Sequence, residues 1–484
     1  MGAVAAVFSR SQIDAPRLVA KILCAMRHRA QDAAGVAWDG HLELEPSPDL
    51  LSASSSTQHT AVGYGFTRIL PDDNPQPIRL GDGWLCLDGR IVADRMMIGG
   101  AKAARYLQDR LAPVEFASIQ HEIDGAYSIC YCKNDELFVT RDPLGLKPLF
   151  IASRDNLVAV ASDRKALYSI GMSDIATFPP RASLTANQEG TILNPPAETH
   201  ARLQAGGVST DDLLQLLVES VSIHTTGLSS VAVGFSGGLD SAIIAKMAKD
   251  AGVDVLLTTI GVGRTLEMIQ AESAAREIGL PIVVRELSRD DVEQSVDRVL
   301  WLIEDPGLMK VSIAVAIYWT ARVAAENGRS VILLGQGSDE LFGGYKRFAT
   351  ILGEHGAKSC EEAISQSISQ AHEVNYQRDE QAVSSLRVEL RLPFATRRMT
   401  ELALRVPLKM KVRSPSDGLR KWVLRDAAIK LGMSSKIALR PKRAIQHASG
   451  IEKVIRDAAK RHRLPPSEYL VERLQAIKKE SGVD

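Results

Sequence analysis

Short apolar runs, separated by polar turn residues, fill the first 170 or so positions of the chain. Six of these runs have the length and composition of strands: AVAAVFS, WLCLDGRIVA, GAYSICYC, ELFVTRD, LFIASR and LVAVAS. Between them, Ala15–Met26 and Ala101–Leu111 carry apolar residues at helical spacing. The pattern predicts a strand-rich α+β domain, which ends in a last strand and a polar linker over Ala186–Gly207.

The pattern changes at Asp211, where strands begin to alternate with helices. The amphipathic run LLQLLVESVSIH is followed by the strand SSVAVGFS, and the strands VDVLLTTIGVG, PIVVREL and SVILLGQG come later with helical segments between them. Parallel strands need crossovers of this length, so this part of the chain is predicted to be an α/β domain with a parallel sheet. Beyond Tyr345 the sequence is mostly helical.

These patterns predict two domains, residues 1–190 and 209–484, joined by a linker over residues 191–208. The 58 Lys and Arg residues balance the 58 Asp and Glu residues. The chain therefore has no global field to hold a polyanion, and nucleic acid is not an expected partner. The N-terminus lacks a basic region ahead of its apolar run, and no apolar run reaches bilayer length, which predicts a cytoplasmic protein with no membrane partner.

The five cysteines are sparse and form no CxxC pair, so the sequence predicts neither a disulfide framework nor a zinc site. Cys130 and Cys132 alternate within a predicted strand and would face the same side of a sheet. They are expected to act as small buried apolar residues.

A glycine-rich turn joins the first strand of the second predicted domain to the helix that follows it. Its glycines allow the backbone to pass close to an anion, and the free N–H groups and the helix N-terminus then face phosphate. A carboxylate among phosphate donors fits a Mg²⁺ ligand best, because alone it would repel phosphate. The turn is neither a Walker A nor a Rossmann motif. It predicts an ATP- and pyrophosphate-binding loop formed by Phe235, Ser236, Gly237, Gly238, Leu239, Asp240 and Ser241.

The sequence SGGLDS in this turn resembles the pyrophosphate loop of the ATP-pyrophosphatase superfamily, and other segments are similar to the asparagine synthetases and the related β-lactam synthetases. In the second half these segments are LGQGSDELFGGY at 334–345, VELRLPF at 388–394 and KWVLR at 421–425. In the first half they are HRAQD at 28–32, DGAY at 124–127 and RDPLGLKPL at 141–149. The resemblance covers nearly the whole chain. It implies an α+β Ntn-hydrolase-like sandwich with the glutaminase plan, followed by an α/β parallel-sheet ATP-pyrophosphatase domain with a helical C-terminal part.

The resemblance also implies roles for individual residues. Asp240 and Asp339 match the carboxylates that hold Mg²⁺ on the pyrophosphate, whose charge needs neutralising as it leaves. Lys442 matches the lysine that stabilises the charge developing in adenylation and amide formation. Leu257–Gly261 matches the segment that receives adenine, and the further ATP-binding residues are Ile260, Gly335, Gly337 and Ser338. ATP and Mg²⁺ are therefore the expected cofactors.

Three positions of the glutaminase-like domain depart from the family. The family's nucleophilic cysteine, which is residue one after the initiator methionine is removed, aligns with Gly2. The family's Asn-Gly-Glu reads Asp88-Gly89-Arg90, and an ionised Asp88 would repel an oxyanion that asparagine would stabilise. The aspartate that pairs with the α-amine of glutamine aligns with Ala101. This domain is predicted not to hydrolyse glutamine.

Two positions of the synthetase domain depart as well. Gln336 stands where asparagine synthetases have glutamate and β-lactam synthetases have tyrosine, and Asn375 replaces another family acid. An amide does not act as a base near neutral pH, although it still orients a substrate. Lys442 and Gln336 are the predicted catalytic residues. Aspartate is disfavoured as the acyl substrate, and ammonia or an amine of low pKa is the favoured nucleophile.

Three hypotheses follow for the function. The leading one is an ATP-dependent ligase that adenylates a small-molecule carboxylate, releases AMP and pyrophosphate, and forms an amide with ammonia or an amine. The nitrogen would come from free ammonia, from a separate glutaminase, or from an amine of the substrate itself, as in β-lactam synthetases. The second is an enzyme that uses this ATP chemistry on tRNA, against which stand the zero net charge and the absence of CxxC pairs. The third is a non-catalytic scaffold, which the intact Ser236, Asp240, Asp339 and Lys442 argue against. A homodimer is compatible with all three.

Overall fold

The computed structural model describes residues 2–52, 57–111, 119–195, 207–441 and 449–481 of the chain. The chain forms two compact units. Unit 1 contains residues 1–198 and 475–484, and unit 2 contains residues 199–474.

Unit 1 is built mainly from strands. Its strands are β1 Gly2–Ile13, β2 Ala33–Trp38, β3 His41–Glu45, β4 Gln58–Phe66, β5 Ile78–Leu80, β6 Gly83–Ala93, β7 Met96–Ile98, β8 Asp124–Lys133, β9 Glu136–Arg141, β10 Phe150–Arg154, β11 Leu157–Ala161, β12 Ala176–Thr177, β13 Ser183–Asn187 and β14 Gly190–Asn194. Its helices are α1 Ala15–Ala25, α2 Gly100–Leu111, α3 Ile119–Glu122 and α4 Arg164–Tyr168, with 3₁₀ turns at Arg27–Arg29 and Pro48–Leu50.

These strands form two antiparallel sheets that pack face to face. Their strand orders are β12-β10-β11-β1-β4-β2-β3 and β14-β13-β9-β8-β6-β5, with β7 paired to β6. The core between them includes Val4, Val62 and the predicted same-face pair Cys130 and Cys132. Helix α1 packs against the outer face of the first sheet and α2 against that of the second. The predicted α+β sandwich of Ntn-hydrolase type is confirmed.

Unit 2 contains a parallel sheet and most of the helices. Its strands are β15 Ser230–Gly234, β16 Asp254–Val262, β17 Ile282–Leu287, β18 Val331–Leu333 and β19 Glu389–Arg391. The helices from residue 210 onwards are α5 Thr210–Thr225, α6 Leu239–Asp250, α7 Leu266–Ile278, α8 Arg289–Ile303, α9 Leu308–Glu326, α10 Ser338–Leu341, α11 Lys346–Ala371, α12 Gln377–Val383, α13 Arg397–Arg405, α14 Leu408–Lys411, α15 Trp422–Lys430, α16 Ser435–Ala438, α17 Ile451–Arg461 and α18 Pro466–Glu480, with a π-helical turn at His372–Tyr376.

The sheet of unit 2 has the order β17-β16-β15-β18-β19, and its strands run parallel as predicted. The strand order reverses between β15 and β18, which are neighbours at the centre of the sheet. Open α/β sheets bind ligands at the carboxyl ends of the strands where such a reversal occurs. The loops that follow β15 and β18 therefore meet where a binding site is expected.

Local sequence determines where several helices begin. Capping boxes start α5 at Ser209 and α8 at Ser288, where the serine side chain and an aspartate three residues later satisfy the free N–H groups. Gly279 ends α7 in the left-handed conformation, with φ 70°. Within the described residues, α9 is the one helix long and apolar enough to cross a membrane, but 61% of its apolar stretch is buried inside the protein, as in a core helix.

Candidate active site

The predicted phosphate loop joins β15 to the N-terminus of α6, whose N-cap residue is Gly238. Gly237 adopts φ +66°, and a Cβ at this position would lie 2.8 Å from the Cα of Ala271 and 2.8 Å from Nη1 of Arg440. Glycine is therefore required in this turn. Arg440 also donates a hydrogen bond to the Gly237 carbonyl, which fixes the conformation of the loop.

Two serine hydroxyls line this turn. Ser236 Oγ lies 3.3 Å from Ser241 Oγ, and it accepts a hydrogen bond from the N–H of Gly238 at 3.3 Å. Hydroxyl groups and the free N–H groups of a helix N-terminus form a donor set suited to phosphate. The structure thus places Phe235–Ser241 in the strand–turn–helix position that the sequence predicts.

Asp240 and Asp339 converge on one cation, the side-chain ammonium of Lys421. The Lys421 Nζ atom lies 2.8 Å from Asp240 Oδ2 and 2.6 Å from Asp339 Oδ1, and it donates to Ser338 Oγ at 2.9 Å. Burial lowers the pKa of Lys421, and the Asp240 carboxylate opposes this effect. Lys421 is the first residue of the segment KWVLR, which resembles the family, but the sequence predicted no role for this residue.

Two glycines of the segment LGQGSDELFGGY allow this close approach. A Cβ on Gly344 would lie 1.9 Å from Asp339 Oδ1 and 2.1 Å from Cε of Lys421. A Cβ on Gly335 would lie 2.9 Å from Cβ of Asp240. The loop that follows β18 therefore contacts the start of α6 through backbone that has no room for side chains.

The carboxylates of Asp240 and Asp339 fit a magnesium site. Mg²⁺ prefers oxygen ligands and is commonly held by one or two carboxylates together with substrate phosphates. Both carboxylates face a position that already holds positive charge, and their side chains keep 23% and 14% of their exposure. Over the described ranges no three His, Cys, Asp or Glu side chains form a metal cluster.

A buried polar network adjoins the site through α10. The Glu340 carboxylate accepts hydrogen bonds from the Tyr345 hydroxyl and from Asn375 Nδ2, the latter at 2.5 Å. Burial raises the pKa of Glu340, and burial also raises the pKa of the Tyr345 hydroxyl. Asn375 stands at a position where the family has an acid. In this structure its amide donates to Glu340, a residue for which the sequence predicted no role.

A second buried carboxylate, Asp379 on α12, lies next to Gln336. Its Oδ1 accepts hydrogen bonds from Arg378, with Nε at 2.7 Å and Nη2 at 2.6 Å. Burial raises the pKa of Asp379 to about 6, while Arg378 and the Gln336 side chain act in the opposite direction. Its Oδ2 has no partner in ordinary hydrogen-bond geometry among the residues the structure describes.

The structure therefore brings the predicted loop residues, Asp339 and Ser338 to one place. Ile260 lies in β16, the strand next to β15. Gly337 precedes α10 with φ +93°. Lys442 lies outside the described residues. The residues at or beside the site that the sequence did not predict are Lys421, Arg440, Glu340 and Asp379.

In unit 1, the space beside residue 2 is filled. A Cβ on Gly2 would lie 2.3 Å from the carbonyl oxygen of Gly65 and 2.4 Å from Cζ of Tyr64. The N–H of Gly2 donates to Asp88 Oδ1 at 3.0 Å, and Lys147 Nζ lies 4.0 Å from the same oxygen. A side chain at position 2 would require the Tyr64 ring or the neighbouring strand to move.

The other departures in unit 1 include Arg90 and Ala101. Arg90, at the family's glutamate position, forms a buried ion pair with Asp73, with Nη2 2.9 Å from Oδ1. The Gln76 side chain hydrogen-bonds both the N–H and the carbonyl of Leu87, at 2.8 and 2.9 Å. Ala101 is exposed on α2. The Arg90 guanidinium is therefore engaged by a carboxylate of its own unit.

Comparison with known proteins agrees with this two-part plan of an amidotransferase-like unit and an α/β unit with a parallel sheet. The Asparagine synthase family matches residues 212–360 and 352–474, and the Glutamine amidotransferase domain family matches residues 67–169. A Methanocaldococcus jannaschii protein whose name assigns it to the glutamine-hydrolysing asparagine synthetases is 31% identical over 392 residues, covering 70% of this chain and 72% of that protein. The asparagine synthetases of Rattus norvegicus and Homo sapiens, also named as glutamine-hydrolysing, are each 26% identical over 454 residues, covering 82% of this chain and 79% of theirs. The chain belongs to the asparagine synthetase family of ATP-dependent amide-forming ligases.

Proposed function

We propose that this chain uses ATP to adenylate the carboxylate of a small molecule, releases pyrophosphate, and joins the acyl group to ammonia or an amine. The observation that carries the proposal is the convergence of Asp240 and Asp339 on one cationic position beside the phosphate loop. Burying charges costs desolvation energy that a purely structural turn would avoid. The cluster of Asp240, Asp339 and Lys421 is therefore proposed to bind a highly charged ligand.

In this proposal the chain's own groups bind and orient the triphosphate. Ser236, Ser241 and the first N–H groups of α6 donate hydrogen bonds to the phosphates. Asp240 and Asp339 hold Mg²⁺, which when bound neutralises the charge of the leaving pyrophosphate. Lys421 provides a fixed positive charge beside the same carboxylates, and fixed charges aimed at developing negative charge stabilise the transition state.

The adenine and acyl ends of the site follow the family resemblance. Ile260, at the carboxyl end of β16, is proposed to contact the adenine. Lys442 is proposed to stabilise the charge on the acyl group during adenylation and amide formation. Gln336 is proposed to orient the nucleophile rather than deprotonate it, because a neutral amide is not a base.

The nitrogen is proposed to come from a source other than glutamine hydrolysis in unit 1. Gly2 has no nucleophilic side chain, and Tyr64 and Gly65 leave no room for one. Asp88 accepts a hydrogen bond at that position, and Arg90 is paired with Asp73. Free ammonia, an amine of the substrate, or ammonia from a separate glutaminase remain the compatible sources. We also propose a cytoplasmic location without nucleic-acid or membrane partners, and a homodimer is compatible with the sequence.

Pyrophosphate release by the purified protein with Mg-ATP tests the proposal. A panel of amino-acid carboxylates is supplied with ammonia, with glutamine, or with no nitrogen source. The expected result is release with one carboxylate that ammonia supports and glutamine does not. Release without any added nitrogen would identify an intramolecular reaction of the β-lactam-synthetase kind. Release driven by glutamine would contradict the proposed loss of glutaminase activity.

The variant Asp240→Ala shows whether this release comes from the proposed site. It is expected to abolish pyrophosphate release with little change in folding. The matched control is Asp250→Ala at the other end of α6, where an exposed carboxylate pairs with Lys246 at 2.6 Å. Full turnover in Asp240→Ala, or equal losses in both variants, would contradict the proposed Mg²⁺ ligand.

A further inference from the structure

The chain from 339 to 345 folds back on itself, so that its last residues contact its first. The N–H of Gly344 donates a hydrogen bond to the main-chain carbonyl of Asp339 at 2.8 Å. A Cβ on Gly344 would lie 1.9 Å from Oδ1 of Asp339 and 2.1 Å from Cε of Lys421. The backbone of Gly344 therefore forms one wall of the space in which the Asp339 carboxylate meets Lys421.

One side-chain hydrogen bond closes this loop. The Tyr345 hydroxyl donates to Oε1 of Glu340, the residue that follows Asp339. Asn375 Nδ2, in the π-helical turn, donates to the same oxygen at 2.5 Å. Arg378 Nη1 donates in turn to Asn375 Oδ1 at 3.3 Å, which joins the contact to α12. Because hydrogen bonds to an ionised group are among the strong ones, Glu340 is held firmly from two segments of the chain.

Asp339 and Glu340 leave α10 in different directions. Asp339 Oδ1 lies 2.6 Å from Lys421 Nζ, and Ser338 Oγ accepts a hydrogen bond from the same ammonium at 2.9 Å. Glu340 is only 2% exposed and points to the donors just described. Helix α10 is a single turn of four residues, and a helix this short has little stability of its own. The direction of the Asp339 side chain therefore depends on the contacts that hold α10 in place.

We propose that Tyr345 and Glu340 are positioning residues, which hold the Asp339 carboxylate in the orientation that binds a divalent metal ion. This inference rests on the proposed function, because it concerns the same Mg²⁺ site. Both residues act through Asp339. Glu340 serves as a hydrogen-bond acceptor and not as a metal ligand, because two donors already occupy its Oε1 atom.

The variant Tyr345→Phe removes the hydroxyl donor and keeps the ring, which packs against Phe348 with centroids 5.8 Å apart. Binding of magnesium pyrophosphate to the whole protein is measured by isothermal titration calorimetry, which needs no carboxylate substrate. The dissociation constant is expected to rise about ten-fold in Tyr345→Phe, the effect of losing one hydrogen bond to a charged group. The control is Tyr131→Phe, which removes a hydroxyl that donates to the Leu80 carbonyl at 3.2 Å in unit 1. This control is expected to bind magnesium pyrophosphate as the wild type does.

A double variant shows whether the hydroxyl acts through the proposed ligand. In protein that already carries Asp339→Asn, the change Tyr345→Phe is expected to cause no further loss of affinity, because the carboxylate that it positions is gone. A purely structural role would instead lower the affinity by the same factor in both backgrounds. A full ten-fold loss in the Asp339→Asn background would therefore overturn the inference.

Two substitutions of Glu340 separate its role as an acceptor from its charge. Glu340→Gln keeps an oxygen that accepts from Tyr345 and Asn375, and it is expected to retain most of the affinity. Glu340→Leu has no acceptor and is expected to lose at least as much affinity as Tyr345→Phe. Equal losses in the two Glu340 variants would contradict a role as an acceptor and would overturn the inference.

The outcomes distinguish this inference from the proposed function. Unchanged affinity in Tyr345→Phe would overturn the inference, and a lower melting temperature with unchanged affinity would show that the contact is only structural. ATP–pyrophosphate exchange by the wild type tests the proposed function separately. Exchange together with unchanged affinity in Tyr345→Phe would leave the proposed function standing. No exchange with any carboxylate would contradict the proposed function, and the titrations would still decide the inference by themselves.

Discussion

Replacing Lys421 with methionine removes one positive charge from between two carboxylates while keeping most of the side chain's volume. In the native structure the ammonium lies 2.8 Å from Asp240 and 2.6 Å from Asp339, and the lysine side chain is only 4% exposed. Because methionine also fills the space beside Gly344, packing is nearly conserved. The variant therefore measures the charge and not the shape.

The size of the loss can be worked from the burial of the three groups. Removing one partner of a buried ion pair costs about 3–5 kcal/mol, because the remaining charge is left without compensation. The side chains of Asp240 and Asp339 keep 23% and 14% exposure, so water screens part of their repulsion. We expect Lys421→Met to lower the free energy of unfolding of unit 2 by about 2–3 kcal/mol. Mg-ATP is expected to restore most of this loss, because Mg²⁺ would bring positive charge to the same carboxylates.

Hydrogen exchange followed by mass spectrometry is the suitable assay, because peptides from unit 2 report on it separately from unit 1. The control is Lys246→Met, which removes an exposed ion pair with Asp250 and is expected to cost less than about 0.5 kcal/mol. A loss in Lys421→Met below about 1 kcal/mol would refute the assignment of a charge cluster. A loss of the same size with and without Mg-ATP would refute the binding of Mg²⁺ to the carboxylates that Lys421 contacts.

Other contacts lead to outcomes that are as simple to measure. Asp339→Asn is expected to slow pyrophosphate release at least about 100-fold with unchanged circular dichroism, and a smaller effect would contradict its role as a ligand. Gly2→Ala is expected to destabilise unit 1 by about 1–3 kcal/mol, because its Cβ would lie 2.3 Å from the Gly65 carbonyl oxygen; unchanged hydrogen exchange in β1 and β4 would contradict this. Burial raises the pKa of Asp379 from 3.8 to about 6, so the native state binds the proton first and stability falls by about 3 kcal/mol as pH rises between these values. Asp379→Asn is expected to lose this pH dependence of stability. Urea titrations that give the wild type and the variant the same pH dependence would contradict the raised pKa of Asp379.

The sequence patterns predicted a strand-rich α+β unit 1 but missed several of its strands, including one near the centre of a sheet. Strand β4, Gln58–Phe66, lies between β1 and β2, yet its sequence QHTAVGYGF contains two glycines, which weaken a strand pattern. A Cβ on Gly63 would lie 2.4 Å from Cγ1 of Val19, and one on Gly65 would lie 2.8 Å from Cβ of Ala30. Helix α1 and the turn after it pack so closely on β4 that glycine is needed. A tertiary contact therefore obscured the local signal.

The site could be predicted where topology alone determines it. Asp240 and Asp339 are far apart in sequence, but they follow β15 and β18, and these two strands pair in the sheet. Strand order is therefore sufficient to bring them together. Lys421 could not be placed, because it has φ 53° in irregular backbone before α15, where no periodicity fixes the direction of a side chain. The surroundings of Asp379 could not be predicted either, because they depend on how α12 packs, which sequence spacing does not determine.

The amide at position 375 has an explanation in the structure, and it leads to a last prediction. Asn375 donates to Glu340 at 2.5 Å, and an acid at position 375 would instead place two carboxylates in contact. Asn375→Asp, although it brings back the family acid, is therefore expected to lower the free energy of unfolding of unit 2, because two buried carboxylates would share one proton. Adding Glu340→Gln is expected to recover most of this loss, since the new amide can donate to the aspartate. An Asn375→Asp variant as stable as the wild type in urea titrations, or a double variant no more stable than the single one, would show that Glu340 does not determine the group at position 375.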